Sequence, residues 1–453
     1  MKIDSYCRTQ VCKKKSTPAC YEIQDDEIWL YSINNSYICL RGPTFAIKLD
    51  IRRLCILEAM NRRKFISRGL ALAGVPALAY LQGRSWAQSA ALSQGSQFGQ
   101  LMDLRGVLPS PSMRSLVPVD VDDRKVIRTT VGLRPYRPSG FVVRTEQVDE
   151  TLVVHNYGHG GAGLTLSWGT AELALQMGCP GHTGPVAVLG SGAVGLATAR
   201  LLQECGYKVT IYTKGLPPET TSFVAGGEWF PFLVADPEKS NARFNQQLML
   251  AAEFAYKRYL NLVGDHFGIR WVRSYSISKD GFDENGPIGI RSPFRGMMPE
   301  FCDLRTDEHP FPAASSVRQY DTLLIEPPRY LPAMMNAFRD ASGSVVVREI
   351  VDRRAVAQLP ERLVFNCTGI GAKDVFGDDE LTPVRGQVTY LKPQPMIDYA
   401  LSHDQLYMLP RTDGILLGGT YELGMTSLTP DMDKKRRILA RHKAFFDSYR
   451  RTS

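Results

Sequence analysis

The apolar and polar positions in the middle of the chain read as an α/β unit. Val186 to Leu189 is an unbroken apolar run, the pattern of a parallel strand buried on both faces. Beyond Gly190, the residues Leu196, Ala199, Leu202 and Cys205 recur at helical spacing, and Gly206 marks where that helix should stop. A second strand is expected to end at Tyr212, Thr213 and Lys214. Elsewhere the patterning predicts a helix over Leu164 to Gln176 and strands in "RTTVGLRP" (128–135), "SVVVREI" (344–350) and the run ending at "NCTG" (366–369). A late helix is expected over "RRILARHKAFFDSYR" (436–450). Residues 1–59 show no clear periodic pattern and predict no element.

Composition is ordinary for a globular chain: 453 residues, 44% hydrophobic and 22% charged. The formal charge of +8 suggests a polyanion partner until it is located. Residues 1–59 hold nine Lys/Arg against seven Asp/Glu, residues 60–88 hold five and none, and everything after Gln88 carries only +1. A near-neutral body with no basic stripe excludes nucleic acid as an expected partner. Residues 60–88 account for the excess. Arg62 and Arg63 lead into Lys64, Phe65 and Ile66, then a mildly apolar run from Gly69 to Leu81, then "SWA" before Gln88. This resembles a twin-arginine export signal and implies export to the periplasm or cell envelope; the apolar run is too short for a stable membrane span. Such signals carry folded proteins, often with a cofactor inside. Met60 is then the expected working start, with residues 1–59 a non-native or disordered leader. That leader holds Cys7, Cys12, Cys20, Cys39 and Cys55 without a paired CxxC framework, and Cys179, Cys205, Cys302 and Cys367 are too few to imply a disulfide scaffold. No metal site is expected.

Gly190, Gly192 and Gly195 stand in GxGxxG spacing between the first strand and its helix, with Ser191, Ala193 and Val194 between them. The first glycine permits the turn, the second lets backbone approach a pyrophosphate, and the third lets the helix pack on the strand. Phosphates then meet free N–H groups at the helix start. The motif does not separate NAD from FAD. An acidic residue would ordinarily take the adenosine ribose at the end of the second strand. Here Thr213 and Lys214 stand there, so a hydroxyl, backbone or Lys214 is expected to do so.

Four further blocks narrow the reading: "TTSFVAGGEWFPF" (220–232), "VFNCTGIGAKDVFGDDELTPVRGQV" (364–388), "YMLPRTDGILLGGTYELG" (407–424), and "VGLRPYRPSGFVVR" with "HNYGHGGAGLTLSWGT" (131–170). Together they resemble the D-amino acid oxidase family of flavoenzymes over most of residues 120–425. The order departs from the family's: the block from "GLRP" to "SWGT" normally closes the chain and here precedes the Rossmann strand, as in a circular permutation. The link Met177–Gly184 would then close the fold, with new termini between the late helix and the "RTTVGLRP" strand.

The resemblance implies FAD as cofactor and an amino acid and dioxygen as reactants. The implied reaction is oxidative deamination of D-amino acids by hydride transfer to flavin N5, giving 2-oxo acid, ammonia and hydrogen peroxide. Arg134 matches the family's carboxylate-binding arginine, Tyr407 the tyrosine that meets the same carboxylate, and the Gly161 carbonyl could receive the substrate amine. Arg137 reads instead as an ion-pair partner. Gly160, Ala162 and Gly163 would approach the isoalloxazine, with Leu164 and Thr165 opening a helix whose N-terminus favours the negative charge of reduced flavin. Thr220, Thr221, Ser222, Ala225, Gly226 and Gly227 are expected along the pyrophosphate and flavin face, Ile350 at adenine, and Thr368 and Gly369 at the phosphates. Trp229 and Phe230 read as core or pocket edge.

The expected fold is α/β, a Rossmann-type FAD-binding domain interleaved with an α+β substrate domain on a mixed or antiparallel sheet, in circularly permuted order. Residues 89–130 form a lead-in, 131–235 and 341–388 the FAD-binding core, and 236–340 and 389–453 the substrate domain. A homodimer stays open. His403, Arg411 and Arg291 leave room for D-aspartate, and a glycine or sarcosine-type amine oxidase fits the same fold. A non-catalytic flavin carrier would need neither Arg134 nor Tyr407, and a nicotinamide dehydrogenase would lack the "HNYGHGGAG" block.

Overall fold

The computed structural model describes residues 21–23, 28–33, 36–41 and 116–449, apart from 313–314. The proposed export segment 60–88, most of the leader and residues 89–115 of the lead-in lie outside the described residues. Two compact units divide at Leu108 and Pro109. In the first, Tyr21–Ile23, Ile28–Ile33 and Ser36–Arg41 form a three-stranded antiparallel sheet. Expecting no element there overlooked "IWLYSI" and "SYICLR", which are rich in the β-branched and aromatic residues that strands favour.

The second unit contains two sheets. A six-stranded sheet runs in the order Ser344–Val347, Val209–Thr213, Val186–Leu189, Leu363–Asn366, Thr151–Tyr157, Val142–Val148. All its pairings are parallel except the last, in which Val142–Val148 runs antiparallel to Thr151–Tyr157. Val186–Leu189 and Leu363–Asn366 are buried at every position, as central parallel strands must be. The helices Gly163–Gly178 and Ala193–Glu204 pack beside each other on one face, and Ala242–Leu260 packs outside the first. A Cβ at Gly169 would stand 1.8 Å from the Ala251 carbonyl oxygen, so glycine is what lets the outer helix come this close.

A nine-stranded sheet lies beside it, ordered Cys302–Leu304, Ser316–Ile325, Ile269–Ser278, Tyr399–His403, Leu406–Arg411, Gly414–Gly418, Thr382–Leu391, Glu422–Leu423, with Val126–Tyr136 also paired to Thr382–Leu391. Every pairing is antiparallel save Ile269–Ser278 with Tyr399–His403. The helix Met432–Asp447 packs behind it, in one apolar cluster with Leu116, Val119 and Val121. The Tyr399 hydroxyl donates to the Val117 carbonyl at 2.8 Å and lies 3.2 Å from that of Tyr449, while Lys435 pairs with Asp123 at 2.6 Å. Residues 117–123 and the late helix are thus neighbours in space.

Strand pairing moves the expected boundaries between the two parts. Val131–Tyr136 and Thr382–Val388, assigned to the FAD-binding core from motif position, are partners in the nine-stranded sheet. The helix Ala242–Leu260, assigned to the substrate part, belongs to the nucleotide layer. The strand in "SVVVREI" stops at Val347, leaving Ile350 beyond it. The helix predicted over Leu164–Gln176 runs Gly163–Gly178.

Candidate active site

A cavity of about 910 Å³ lies between the two sheets, at the upper end of the roughly 300–1,000 Å³ of ligand sites. At one end the chain leaves Val186–Leu189 through Gly190, whose φ of +101° suits glycine. A Cβ at Gly195 would lie 2.0 Å from the Gly190 carbonyl oxygen, so the third glycine keeps helix and turn in contact. Gly190 and Gly195 pack beneath the turn, while Ser191, Gly192, Ala193 and Val194 face the cavity. The helix Ala193–Glu204 has no side chain capping it from Gly192; the Ala193 N–H is taken instead by Ser222 Oγ at 3.0 Å. Its remaining first-turn N–H groups have the chemistry to receive an anion. Thr220, Thr221 and Ser222 line one side, Thr368 and Gly369 the other.

At the end of Val209–Thr213, the Thr213 hydroxyl donates to the Gly215 carbonyl at 2.7 Å and lies 3.1 Å from Ser191 Oγ, while exposed Lys214 faces Glu349 at 3.7 Å. A carboxylate from the following loop does reach the cavity near this strand end. Glu219 lines the cavity there, with Oε2 2.8 Å from where a Gly215 Cβ would stand. Sequence spacing gave no cue to it, because the loop folds back. Ile350 does not line the cavity; its side chain is buried in a cluster with Ala187 and Tyr212.

The second glycine turn precedes the helix Gly163–Gly178. Gly160 has φ +56°, and its Cβ would meet the Leu233 carbonyl oxygen at 2.1 Å. The Gly161 N–H donates to that same oxygen at 3.2 Å. His159, held to Thr170 Oγ1 at 2.8 Å, is pushed down to about 3 by burial and is neutral. The helix has no side-chain cap and no acidic residue in its first turn, so its start presents uncompensated positive dipole to the cavity. Gly160, Gly161, Gly163 and Leu164 line the cavity; Ala162 and Thr165 do not, and the Thr165 hydroxyl donates to the Phe230 carbonyl at 3.1 Å.

The far end is built on the nine-stranded sheet. Arg134 projects from Val126–Tyr136 over Gly386, where a Cβ would lie 2.4 Å from Nη1. Tyr407 lies over its cross-strand partner Gly418, where a Cβ would lie 2.1 Å from the ring. Burial raises the Tyr407 hydroxyl above its ordinary pKa, opposed by the charge of Arg134 and a hydrogen bond with it. Arg137 is engaged otherwise, pairing with Asp378 at 2.8 Å and Glu380 at 2.6 Å. Arg134 makes no ion pair among the described residues.

Four buried polar atoms without a protein partner belong to residues lining this cavity: Arg134 Nη1, Asn156 Oδ1, Thr220 Oγ1 and His403 Nδ1. Folded proteins rarely leave such atoms unsatisfied, and together they fit a bound polar group extending from the nucleotide turn to Arg134. The residues present therefore suit a flavin dinucleotide with a small carboxylate beyond it.

The cations considered for an acidic substrate are placed differently. Arg411 is buried against Asp413 at 2.8 Å and donates to the Ala225 carbonyl at 2.9 Å; Arg291 is exposed, 3.4 Å from Glu284; neither lines the cavity. His403 does line it, but burial lowers its pKa against the pull of Asp404, favouring the neutral ring. Trp229 is fully buried outside the lining, whereas Phe230 faces it. Glu228 also lines the cavity and was overlooked, since a single acid inside "GGEWF" carries no spacing pattern.

Residues 110–177 and 185–452 match the family described as FAD dependent oxidoreductase. The chain is 29% identical over 270 residues to a D-amino-acid oxidase of Streptomyces coelicolor, covering 57% of this chain and 76% of that one. It is 29% identical over 273 residues to a D-aspartate oxidase of Homo sapiens, covering 57% and 75%. Among solved structures it is similar to a glycine oxidase from Bacillus cereus, with TM-score 0.44, 18% identity and coverage of 57% and 77%.

Proposed function

The chain belongs to the FAD-dependent oxidoreductase family, and we propose that with FAD as cofactor it oxidises free D-amino acids to 2-oxo acids, ammonia and hydrogen peroxide. The observation that carries this reading is Arg134: a guanidinium with one buried, unpartnered nitrogen, beside a tyrosine hydroxyl, in the same cavity as both glycine turns. A protein that only stored flavin would have no use for it. The order of elements fits a circular permutation of the family's usual order.

The Arg134 fork and the Tyr407 hydroxyl hold the substrate carboxylate and fix the rotation of Cα. The Gly161 carbonyl is available to the substrate amine. FAD, when bound, supplies a hydride acceptor and passes the electrons on to dioxygen. The uncapped start of Gly163–Gly178 favours negative charge at its end of the cavity, and the neutral His159 behind it leaves that dipole unaided by a second cation. Substrate amine loses its proton to water before Cα is oxidised, and the imino acid is hydrolysed afterwards. Neither Arg411 nor Arg291 faces the cavity, which removes two of the three residues that favoured an acidic substrate.

Anaerobic titration of the purified holoenzyme with matched D- and L-amino acids tests the reading. Bleaching of the visible flavin band by the D series alone is the expected result; bleaching by the L series alone, or by neither, overturns it.

A further inference from the structure

We propose that Glu228 makes the substrate pocket select a cationic side chain, so that the preferred substrates are D-amino acids ending in an ammonium or guanidinium group. The proposal rests on the D-amino acid oxidase reading above and deepens it.

Placement comes first. In the nine-stranded sheet Tyr407 is the register partner of Ser402, and Ser402 of Ser276. Ser276 and Ser402 both line the cavity, and their hydroxyls lie 3.0 Å apart. Ser274, two residues along the same strand and so on the same face, donates its hydroxyl to Glu228 Oε1 at 2.7 Å. With neighbouring strands about 4.8 Å apart and Ser274 about 7 Å along its strand from Ser276, the Glu228 carboxylate lies roughly 12 Å from the Tyr407 end of the site. That separation suits a substrate whose carboxylate is held by Arg134 and Tyr407 and whose far end carries charge on a three- or four-carbon stem. Phe230, Phe282 and Ile288 also line the cavity and offer apolar surface to such a stem.

Charge comes second. Glu228 has no ion-pair partner among the described residues. Arg318, register partner of Ser276, is held bidentate by Asp303 at 2.6 and 2.8 Å and does not line the cavity. A carboxyl group in this position is desolvated without a compensating cation, and burial raises its pKa. A substrate cation restores its ionised form, whereas an apolar or anionic side chain leaves the cost in place. A carboxylate kept only for structure would gain more from a protein cation than from one serine hydroxyl.

The test compares substrates with matched stems and charged or uncharged ends, D-lysine against D-norleucine and the near-isosteric D-arginine against D-citrulline, by kcat/KM in air-saturated buffer and by flavin bleaching without oxygen. Wild-type holoenzyme is expected to prefer the charged member of each pair by about thirtyfold, and Glu228→Gln to erase most of that ratio. A structural role for Glu228 would lower both members alike and leave the ratio unchanged. Equal turnover of D-lysine and D-norleucine by the wild type overturns the proposal while the oxidase reading stands, and needs no variant to fold. Failure of every D-amino acid to reduce the flavin overturns the oxidase reading, and this proposal falls with it.

Discussion

The two ends of the cavity are built by opposite means. The nucleotide end is local: one strand, one turn and one helix within residues 186–204, with backbone N–H groups as its recognition chemistry. The substrate end gathers side chains from residues 134, 274, 276, 402 and 407, set by strand register in a nine-stranded sheet, with Glu228 brought onto Ser274 from outside its strands. A backbone site needs glycine at fixed steps and tolerates almost anything between them. A side-chain site depends on which strand lies next to which.

This contrast predicts different failures. The largest effect is expected at Gly195, where a Cβ has only 2.0 Å to the Gly190 carbonyl oxygen and no flexible side chain can yield. Gly195→Val should force helix and turn apart and give protein that purifies without FAD, read from the visible spectrum and the flavin-to-protein ratio. A variant holding stoichiometric FAD would show that the close contact is not needed for nucleotide binding.

Arg134→Leu should do the reverse. Flavin stays bound, because no cofactor-turn element is touched, while kcat/KM for the best D-amino acid falls about 10³-fold through loss of a buried charged hydrogen-bonding partner. Retained substrate affinity with unaltered flavin content would reject Arg134 as the carboxylate anchor. Together the two variants separate the ends of the cavity: one loses the cofactor, the other loses the substrate.

The same contrast explains what could be read in advance. The strand Val186–Leu189, the turn and the helix Ala193–Glu204 that stops just before Gly206 were legible because their constraints fall within about twenty consecutive residues. Arg134 and Tyr407 were found through resemblance alone. Nothing in spacing or periodicity says that Gly386 and Gly418 clear room for their side chains. Glu219 and Glu228 escaped because their roles come from loops that fold back, one onto Gly215 and one onto Ser274. Arg411 misled for the mirror reason: a cation beside the "YMLP" block looks available until Asp413, two residues on, takes it. Motif position likewise put Val131–Tyr136 with the FAD-binding core, whereas the strand pairs with Thr382–Leu391 in the nine-stranded sheet.

The smallest predicted effect concerns the contact that joins the two regions. Asp378 accepts from Tyr157, at the end of a nucleotide-sheet strand, at 2.7 Å, and from Arg137, just past the Arg134 strand, at 2.8 Å. Burial raises its pKa, but the Tyr157 hydrogen bond and Arg137 outweigh that and leave it below the ordinary carboxylate value. A depressed folded-state pKa means that this contribution is complete above the unfolded value near pH 3.9 and is lost as pH falls through the lower folded value. Asp378→Asn should therefore lower Tm by about 2–4 °C at pH 7. The gap to the wild type should narrow as the buffer is taken below pH 4, where the wild-type carboxylate is itself being protonated. A gap that stays constant down to pH 2 would mean that Asp378 stabilises by shape alone, and that the two sheets are held together by their apolar packing and not by this charge.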